Sequence, residues 1–289
     1  MTEPLESSVV EELEKQIQRI LVALDASTSS LAALQAAAGL AAALKADLVG
    51  LFVEDVNLIR FSALPFAQEQ RWPAARRLQL DERQMEHQLR LRASQARRAL
   101  ASAADQMEIT WTFRVVRGQV TDEVLTACME ADLLSLGATS RSLTQKSRLG
   151  STAREATQRS PRSILLARRP SEMDWPVAVT YDGSALARRG LAAGIRLAQR
   201  YENNLIVFVL GENRESAAPL VEQVQRMTEP TPVHVDFRFV DAGDVEQLVT
   251  QLQNQSCSLV ILAGEAPLLL GESLQALLDG LDCPVMVIR

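Results

Sequence analysis

Residues 19–27 read RILVALDAS, and residues 175–184 read WPVAVTYDGS. Each is an apolar run closed by Asp-x-Ser, with Asp25 and Ser27 in the first copy and Asp182 and Ser184 in the second. Runs of four to seven apolar residues bounded by polar turn formers mark strands buried on both faces. Each run leads into a small-residue helix, Leu31 to Lys45 and Leu186 to Arg200. Each helix leads to another apolar strand, Leu48 to Val53 and Leu205 to Leu210. The two series also end alike. Residues 132–137 (DLLSLG) match 258–264 (SLVILAG), and Pro161 ahead of Ser163–Ala167 matches Pro284 ahead of Val285–Ile288. Each half therefore reads β-α-β-α-β-α-β-α-β. This predicts an α/β protein of two tandem open five-stranded parallel-sheet domains, with helices on both faces and right-handed crossovers.

The boundaries follow from the repeat. Residues 1–17 form an N-terminal extension, in which Ser8 and Glu11 have the spacing of a capping box. The first domain spans 18–169, the linker 170–174 contains Pro170 and charged residues, and the second domain spans 175–289. The stretch from Asp25 to Gly137 is about thirty residues longer than that from Asp182 to Ala263. The surplus lies mainly in about 54–80. It is apolar, with Asn57 to Phe66, Trp72, and prolines at 65 and 73, so an ordered excursion is expected. A long helix follows, Asp81 to Gln106, with Met85, Leu89, Ala93, Ala96, Leu100 and Ala103 on one face. Arg83, Arg90, Arg92, Arg97 and Arg98 on its other face read as a solvated surface. Two like domains in one chain are expected to pack as a pseudo-dimer through the edges Ile164–Ala167 and Val285–Ile288.

Composition limits the functions. With 47% hydrophobic and 23% charged residues, each half can bury a core. A net charge of −6 argues against duplex nucleic acid, whose binding depends on Lys and Arg neutralising phosphates. Cys128, Cys257 and Cys283 form no CxxC pair, and His87 and His234 are far apart, so no metal cluster or disulfide framework is expected. Residues 1–18 are acidic and lack the features of a signal peptide. The apolar stretch Leu31 to Leu44 is shorter than the ~20 residues that span a bilayer. A cytoplasmic protein with neither membrane nor nucleic acid as partner is expected.

Ligands of an open parallel sheet sit beyond the carboxyl ends of its strands, where neighbouring crossovers diverge. Asp25 and Gly137 occupy those ends in the first half. Residues 137–155 read GATSRSLTQKSRLGSTARE. Gly137 allows close approach of the backbone. Gly150, Ser151 and Thr152 open a helix whose free N–H groups and dipole attract anions. Arg141, Lys146 and Arg148 lie in the intervening loop with no acid among them. The stretch suits a polyphosphate, although it lacks the Gly-Lys-Ser/Thr of a Walker A loop. The plainer alternative is a strand, a loop and a serine-capped helix.

These features together resemble a tandem universal stress protein. Nucleotide-binding members of that family share Gly-x2-Gly-x9-Gly-Ser/Thr. The counterpart here is Gly137-x2-Ser140-x9-Gly150-Ser151, with the spacing intact and the second glycine replaced. The resemblance implies an adenine-nucleotide α-hydrolase-like, Rossmann-like fold that binds ATP or another adenine nucleotide, with or without Mg. It places Ala23 and Asp25 against the adenosine, Val53 against adenine through its main chain, and Leu136 beside the nucleoside. Gly137, Thr139, Ser140, Gly150, Ser151 and Thr152 would surround the phosphates. If Ser140 must adopt positive φ, it costs about 1 kcal/mol, which implies weaker binding or a different nucleotide.

The second half departs further. After Ala263 or Gly264 its loop contains no Lys or Arg, is shorter by about three residues, and carries Leu268, Leu269 and Leu270. Glu265 and Glu272 would repel phosphates. It reads as a degenerate copy with a packing role. The expected function is a stress-response regulator with an adenine nucleotide in its first half, and with a homodimer or protein partner. A slow ATPase is an alternative, but no histidine lies near the site and Asp25 is the sole candidate base. A third possibility is an interaction protein without nucleotide, using Leu268–Leu270 and Asn57–Phe66 as partner surfaces.

Overall fold

The computed structural model describes residues 17–62, 68–71, 76–79, 82–138, 149–169, 176–200, 203–255 and 257–289. The first half begins with β1 (Arg19–Ala23), α1 (Thr28–Leu44), β2 (Asp47–Asp55) and α2 (Val56–Ser62). An antiparallel ribbon of β3 (Gln68–Arg71) and β4 (Arg76–Gln79) follows, then α3 (Glu82–Gln106). The half ends with β5 (Trp111–Gly118), α4 (Val120–Cys128), β6 (Leu133–Gly137), α5 (Ser151–Arg159) and β7 (Ser163–Ala167). The second half comprises β8 (Val177–Tyr181), α6 (Ala185–Ala198), β9 (Asn204–Gly211), α7 (Arg214–Thr228), β10 (His234–Asp241), α8 (Val245–Gln253) and β11 (Leu259–Leu262). A 3-10 turn (Pro267–Leu269), α9 (Gly271–Gly280) and β12 (Val285–Val287) complete it. The capping box at Ser8 and Glu11 and the linker at 170–174 lie outside the described residues.

Local sequence accounts for these elements. The Ser27 side chain caps α1 by accepting the Ser30 N–H. Its alanine-rich body is buried on most sides, against the sheet, α3 and α6. Lys45 ends it in the left-handed region at φ 57°, where glycine is the usual occupant. The periodic face of α3 buries Leu89, Ala93, Ala96, Leu100 and Ala104. The excursion between β2 and α3 contains α2 and the ribbon.

Ten strands form one sheet, in the order β10-β9-β8-β11-β12-β7-β6-β1-β2-β5. Every pair in it is parallel except β7 with β12, which join the two halves antiparallel through the expected edges. Register reveals a local two-fold axis. Ile20 lies beside Leu133 as Val177 lies beside Leu259, and Leu134 beside Ile164 as Val260 lies beside Val285. Ile20 thus corresponds to Val177, Leu133 to Leu259 and Ile164 to Val285. The join obeys the same correspondence, because Ile164 faces Val287 and Val285 faces Leu166. One apolar cluster with α1, α3, α6 and α7 covers one face of the sheet, and another with α4, α5, α8 and α9 covers the other. Each runs through both halves.

Arginines reinforce the join. Arg168, just after β7, is buried and donates Nε to the Leu281 carbonyl (3.0 Å) and Nη2 to the Leu278 carbonyl (2.8 Å), at the end of α9. Arg289 is its two-fold counterpart, and its guanidinium donates to the Thr157 carbonyl in the last turn of α5. Each half therefore caps the last helix of the other.

Candidate functional site

In the first half, β1 and β6 are neighbours, and the chain leaves them in opposite directions, β1 towards β2 and β6 towards β7. The helices that follow them, α1 and α5, pack on opposite faces of the sheet. The gap beyond the carboxyl ends of β1 and β6 is thus a topological switch point, where α/β sheets bind ligands. Ala23, half-buried, ends β1, and Leu136, buried, is the penultimate residue of β6. Asp25 is exposed at the rim of this gap, with Oδ1 accepting the Ser27 N–H at 2.9 Å.

Val53 does not end its strand. β2 continues to Asp55, and Val53 lies beside Val116 of β5. The direction of its main chain follows from the pairing of its neighbours. The Leu51 carbonyl accepts the Leu24 N–H at 2.8 Å, so Leu51 directs its polar groups towards β1. Val53, two residues further, directs its own to the same side, beyond the end of β1.

The two glycines of the motif are neighbours in space. The Gly150 N–H donates to the Ala138 carbonyl at 3.0 Å, which returns the chain after residues 139–148 to the tip of β6. Thr139 and Ser140, and the basic residues 141, 146 and 148, lie outside the described residues. Gly137 has a packing reason for its identity. A Cβ there would stand 2.8 Å from the Ser29 backbone carbon and 2.9 Å from the Ser30 nitrogen, so only glycine lets α1 sit this close to β6. Gly150 is the N-cap of α5 at φ −62°, and has no side chain with which to close the helix start. Ser151 is exposed. Thr152 is half-buried, its hydroxyl 3.4 Å from that of Thr121. The start of α1, by contrast, is closed by its own hydroxyls. Ser27 Oγ accepts the Ser30 N–H at 3.2 Å, and Ser30 Oγ donates to the Ser27 carbonyl at 3.0 Å. Of these two helix starts, α5 is the one without a side-chain cap.

The corresponding place in the second half is filled by its own chain. Register matches Gly137 to Ala263 rather than Gly264, and Asp25 to Asp182. Gly271 follows Ala263 by 8 positions, whereas Gly150 follows Gly137 by 13, so the loop is shortened by five residues rather than three. Asp182 Oδ2 accepts the N–H groups of Glu265 (2.6 Å) and Ala266 (2.8 Å), and Oδ1 that of Ser184 (3.0 Å). Gly264 crosses the carboxylate at φ +145°, where a Cβ would lie 2.6 Å from Oδ2. Leu268 and Leu269 are buried beneath the loop, while Leu270 is 51% exposed.

One contact escaped the sequence reading. Asp279 of α9 reaches into the first half, where its Oδ1 accepts the Leu149 N–H at 2.8 Å. The available signal was an acid in the last turn of a helix, against the macrodipole. A separate open cavity of about 510 Å³ lies at the far edge of the sheet, lined by Arg214, Phe237, Arg238, Phe239, Gln247 and Gln251. It is remote from the switch point, and open α/β sheets give no reason to place chemistry at an outer strand. Among the described residues no group of three or more His, Cys, Asp or Glu could hold a metal, and no helix is long and apolar enough to cross a membrane.

The chain resembles known proteins on these same terms. A universal stress protein from Archaeoglobus fulgidus DSM 4304 superposes with a TM-score of 0.71 over 95% of this chain and 99% of its own, at 15% identity. A protein of Pseudomonas aeruginosa UCBPP-PA14 assigned to the universal stress proteins gives 0.61 over 96% and 94%, at 14% identity. The cytoplasmic domain of a prokaryotic cation chloride cotransporter gives 0.52 over 94% and 95%, at 11% identity. At such identities the likeness concerns fold alone, and the third shows that this fold serves unlike proteins. None of the curated proteins matches the chain. The model of the universal stress protein family matches residues 16–168, more than half of the chain, which therefore belongs to the universal stress protein family.

Proposed function

We propose that the first half binds one adenine nucleotide, ATP foremost, at the switch point between β1 and β6, and that the protein acts as a stress-response regulator through that occupancy. The observation that carries this reading is the juxtaposition of Ala138 and Gly150, which sets the N-terminus of α5, without a side-chain cap, beside the tip of β6. Phosphates would lie against Gly137, Gly150, Ser151 and Thr152, with Thr139 and Ser140 in the loop between. Helix N–H groups and the dipole supply the attraction. Adenosine would lie on Ala23 and Leu136 with Asp25 at its rim, and adenine against the Val53 main chain. Where Mg accompanies the nucleotide, its ligands would come from the phosphates and water.

The second half is, on this reading, a second domain of the same type that retains the fold without the ligand. Its Asp182 already accepts three N–H groups of its own half, and Glu272 lies in the first turn of α9, where it would repel phosphates. Catalysis is not part of the proposal, in which Asp25, an acceptor of the Ser27 N–H, serves nucleoside contact. Isothermal titration with ATP tests the reading. Wild type should bind one equivalent, and Gly150→Asp should lose binding through charge repulsion at the helix start. Equal and negligible binding by both proteins overturns it. Mass spectrometry of nucleotide released from gently purified protein distinguishes ATP from AMP or a cyclic nucleotide.

A further inference from the structure

Asp279 stands where helix physics disfavours it. It is the penultimate residue of α9, whose C-terminus carries the negative end of the macrodipole. Such departures from local preference are expected where a residue serves a site. Its side chain is three-quarters buried and has two partners from the first half. Oδ1 accepts the Leu149 N–H at 2.8 Å and lies 3.6 Å from Nη2 of Arg168. Leu149 is itself buried and immediately precedes Gly150, the N-cap of α5. The backbone entering α5 is therefore pinned twice, at Gly150 by the first half and at Leu149 by the second.

The two-fold axis shows that this second pin is not a by-product of symmetry. The reciprocal arginine bonds equate Thr157 with Leu278, and hence Gln158 with Asp279 and Leu149 with Leu270. Leu270 gives its N–H to the nearby Pro267 carbonyl, not to the first half. The link runs from the second half to the first only, although the start of α9, like that of α5, has no side-chain cap.

We propose that Asp279 is a positioning residue for the phosphate cradle of the first half, so that the site is composite and the second half contributes to nucleotide affinity without touching the ligand. This rests on the nucleotide reading above. Loss of the acceptor frees the Leu149 amide and loosens the start of α5. An amide or carboxylate oxygen at this place restores it, because the Leu149 N–H needs an acceptor rather than a charge.

Amide hydrogen exchange and ATP titration on wild type, Asp279→Ala and Asp279→Asn test this together. In Asp279→Ala, exchange at Leu149 should rise by about tenfold or more, and ATP affinity should fall by about three- to tenfold, the range set by the net contribution of one ordinary hydrogen bond. Asp279→Asn should restore both to within about twofold of wild type, since a neutral acceptor replaces the charged one. Unchanged exchange at Leu133–Leu136 of β6 shows that the sheet is intact in each variant. Unchanged Leu149 exchange in Asp279→Ala overturns the proposal. So does faster Leu149 exchange with wild-type ATP affinity, or an Asp279→Asn protein as impaired as Asp279→Ala. Wild type that binds no ATP instead overturns the nucleotide reading, and Leu149 exchange alone then decides whether Asp279 positions α5.

Discussion

Leu165 of β7 and Met286 of β12 face each other at the centre of the antiparallel join, on the local two-fold axis that exchanges the two halves. Both are almost wholly buried, and both belong to the apolar cluster that covers one face of the whole sheet. Neither half can unfold without exposing the other at this point. Leu165→Ala or Met286→Ala should therefore cost about 2–5 kcal/mol, the ordinary penalty for emptying a core position. Urea unfolding followed by circular dichroism should remain a single transition. A two-step curve in which only one half melts early would contradict a shared core.

Arg168 and Arg289 are two-fold counterparts with unequal burdens. Arg168 holds two carbonyls of α9 and lies against Asp279, with only 5% of its side chain exposed. Its removal leaves those carbonyls unpaired and the carboxylate without a countercharge. Arg168→Ala should cost about 2–4 kcal/mol, somewhat below the value for a fully buried pair because Asp279 keeps some contact with water. Arg289 makes one such bond, so Arg289→Ala should cost about 1–2 kcal/mol. Denaturant midpoints of the two variants give the order directly, and a larger loss at Arg289 would refute it.

Much of this was legible in the sequence, and the rest was hidden for identifiable reasons. The Asp-x-Ser endings at Asp25 and Asp182 located two like halves because strand ends and helix caps are local. The edge strands of the join, Ile164–Ala167 and Val285–Ile288, were legible because continuous apolar runs must be covered. The register of Gly137 on Ala263 was not, since a one-residue slip leaves the apolar pattern of so short a strand nearly unchanged and only pairing resolves it. Val53 read as a strand end because the polar residues Glu54 and Asp55 follow it, yet pairing with Arg117 and Gly118 carries β2 two residues further. Asp279 was invisible because its partner Leu149 is 130 positions away.

The two glycines of the motif should respond differently to alanine. At Gly137 the added methyl meets the backbone of Ser29 and Ser30 at under 3 Å, so α1 must move off β6. Gly137→Ala should cost about 1–3 kcal/mol, as overpacking does. Gly150 has φ −62° and ψ 157°, which any residue can adopt. Gly150→Ala should cost only about 0.5–1 kcal/mol, from the poorer N-cap. Thermal melting of the ligand-free variants checks the contrast, and equal destabilisation would sink it.

Burial should make the thiols of the second half inert. Burial, with a smaller contribution from Cys283, pushes the Cys257 thiol up to about 12, and burial pushes Cys283 up to about 11. Both therefore stay protonated at neutral pH, and the thiol form is a poor nucleophile. The sign for stability follows. The unfolded chain ionises near the ordinary 9.0, so this stabilisation is complete below that pH and is lost as pH rises towards about 12. Native protein at pH 8 should react with iodoacetamide far more slowly than urea-unfolded protein. Rapid native alkylation, read by mass spectrometry, would contradict the assignment.

Asp25 and Asp182 occupy equivalent positions, yet their carboxylates face different surroundings, and substitution should expose the difference. Asp182 is half-buried and accepts three N–H groups, two of them from the loop that fills the second-half crevice. Asp182→Ala leaves Ser184, Glu265 and Ala266 without this acceptor and should cost about 1–3 kcal/mol. Exchange at the Glu265 and Ala266 amides should accelerate with it, and Asp182→Asn, which keeps one carbonyl oxygen, should fall between. Asp25 is exposed, and its carboxylate supports the turn into α1 through Ser27. Water can replace that bond, so Asp25→Ala should cost less, about 1 kcal/mol or below. Costs in the reverse order would contradict the assignment of Asp182, rather than Asp25, as the acid that holds a crevice loop in place.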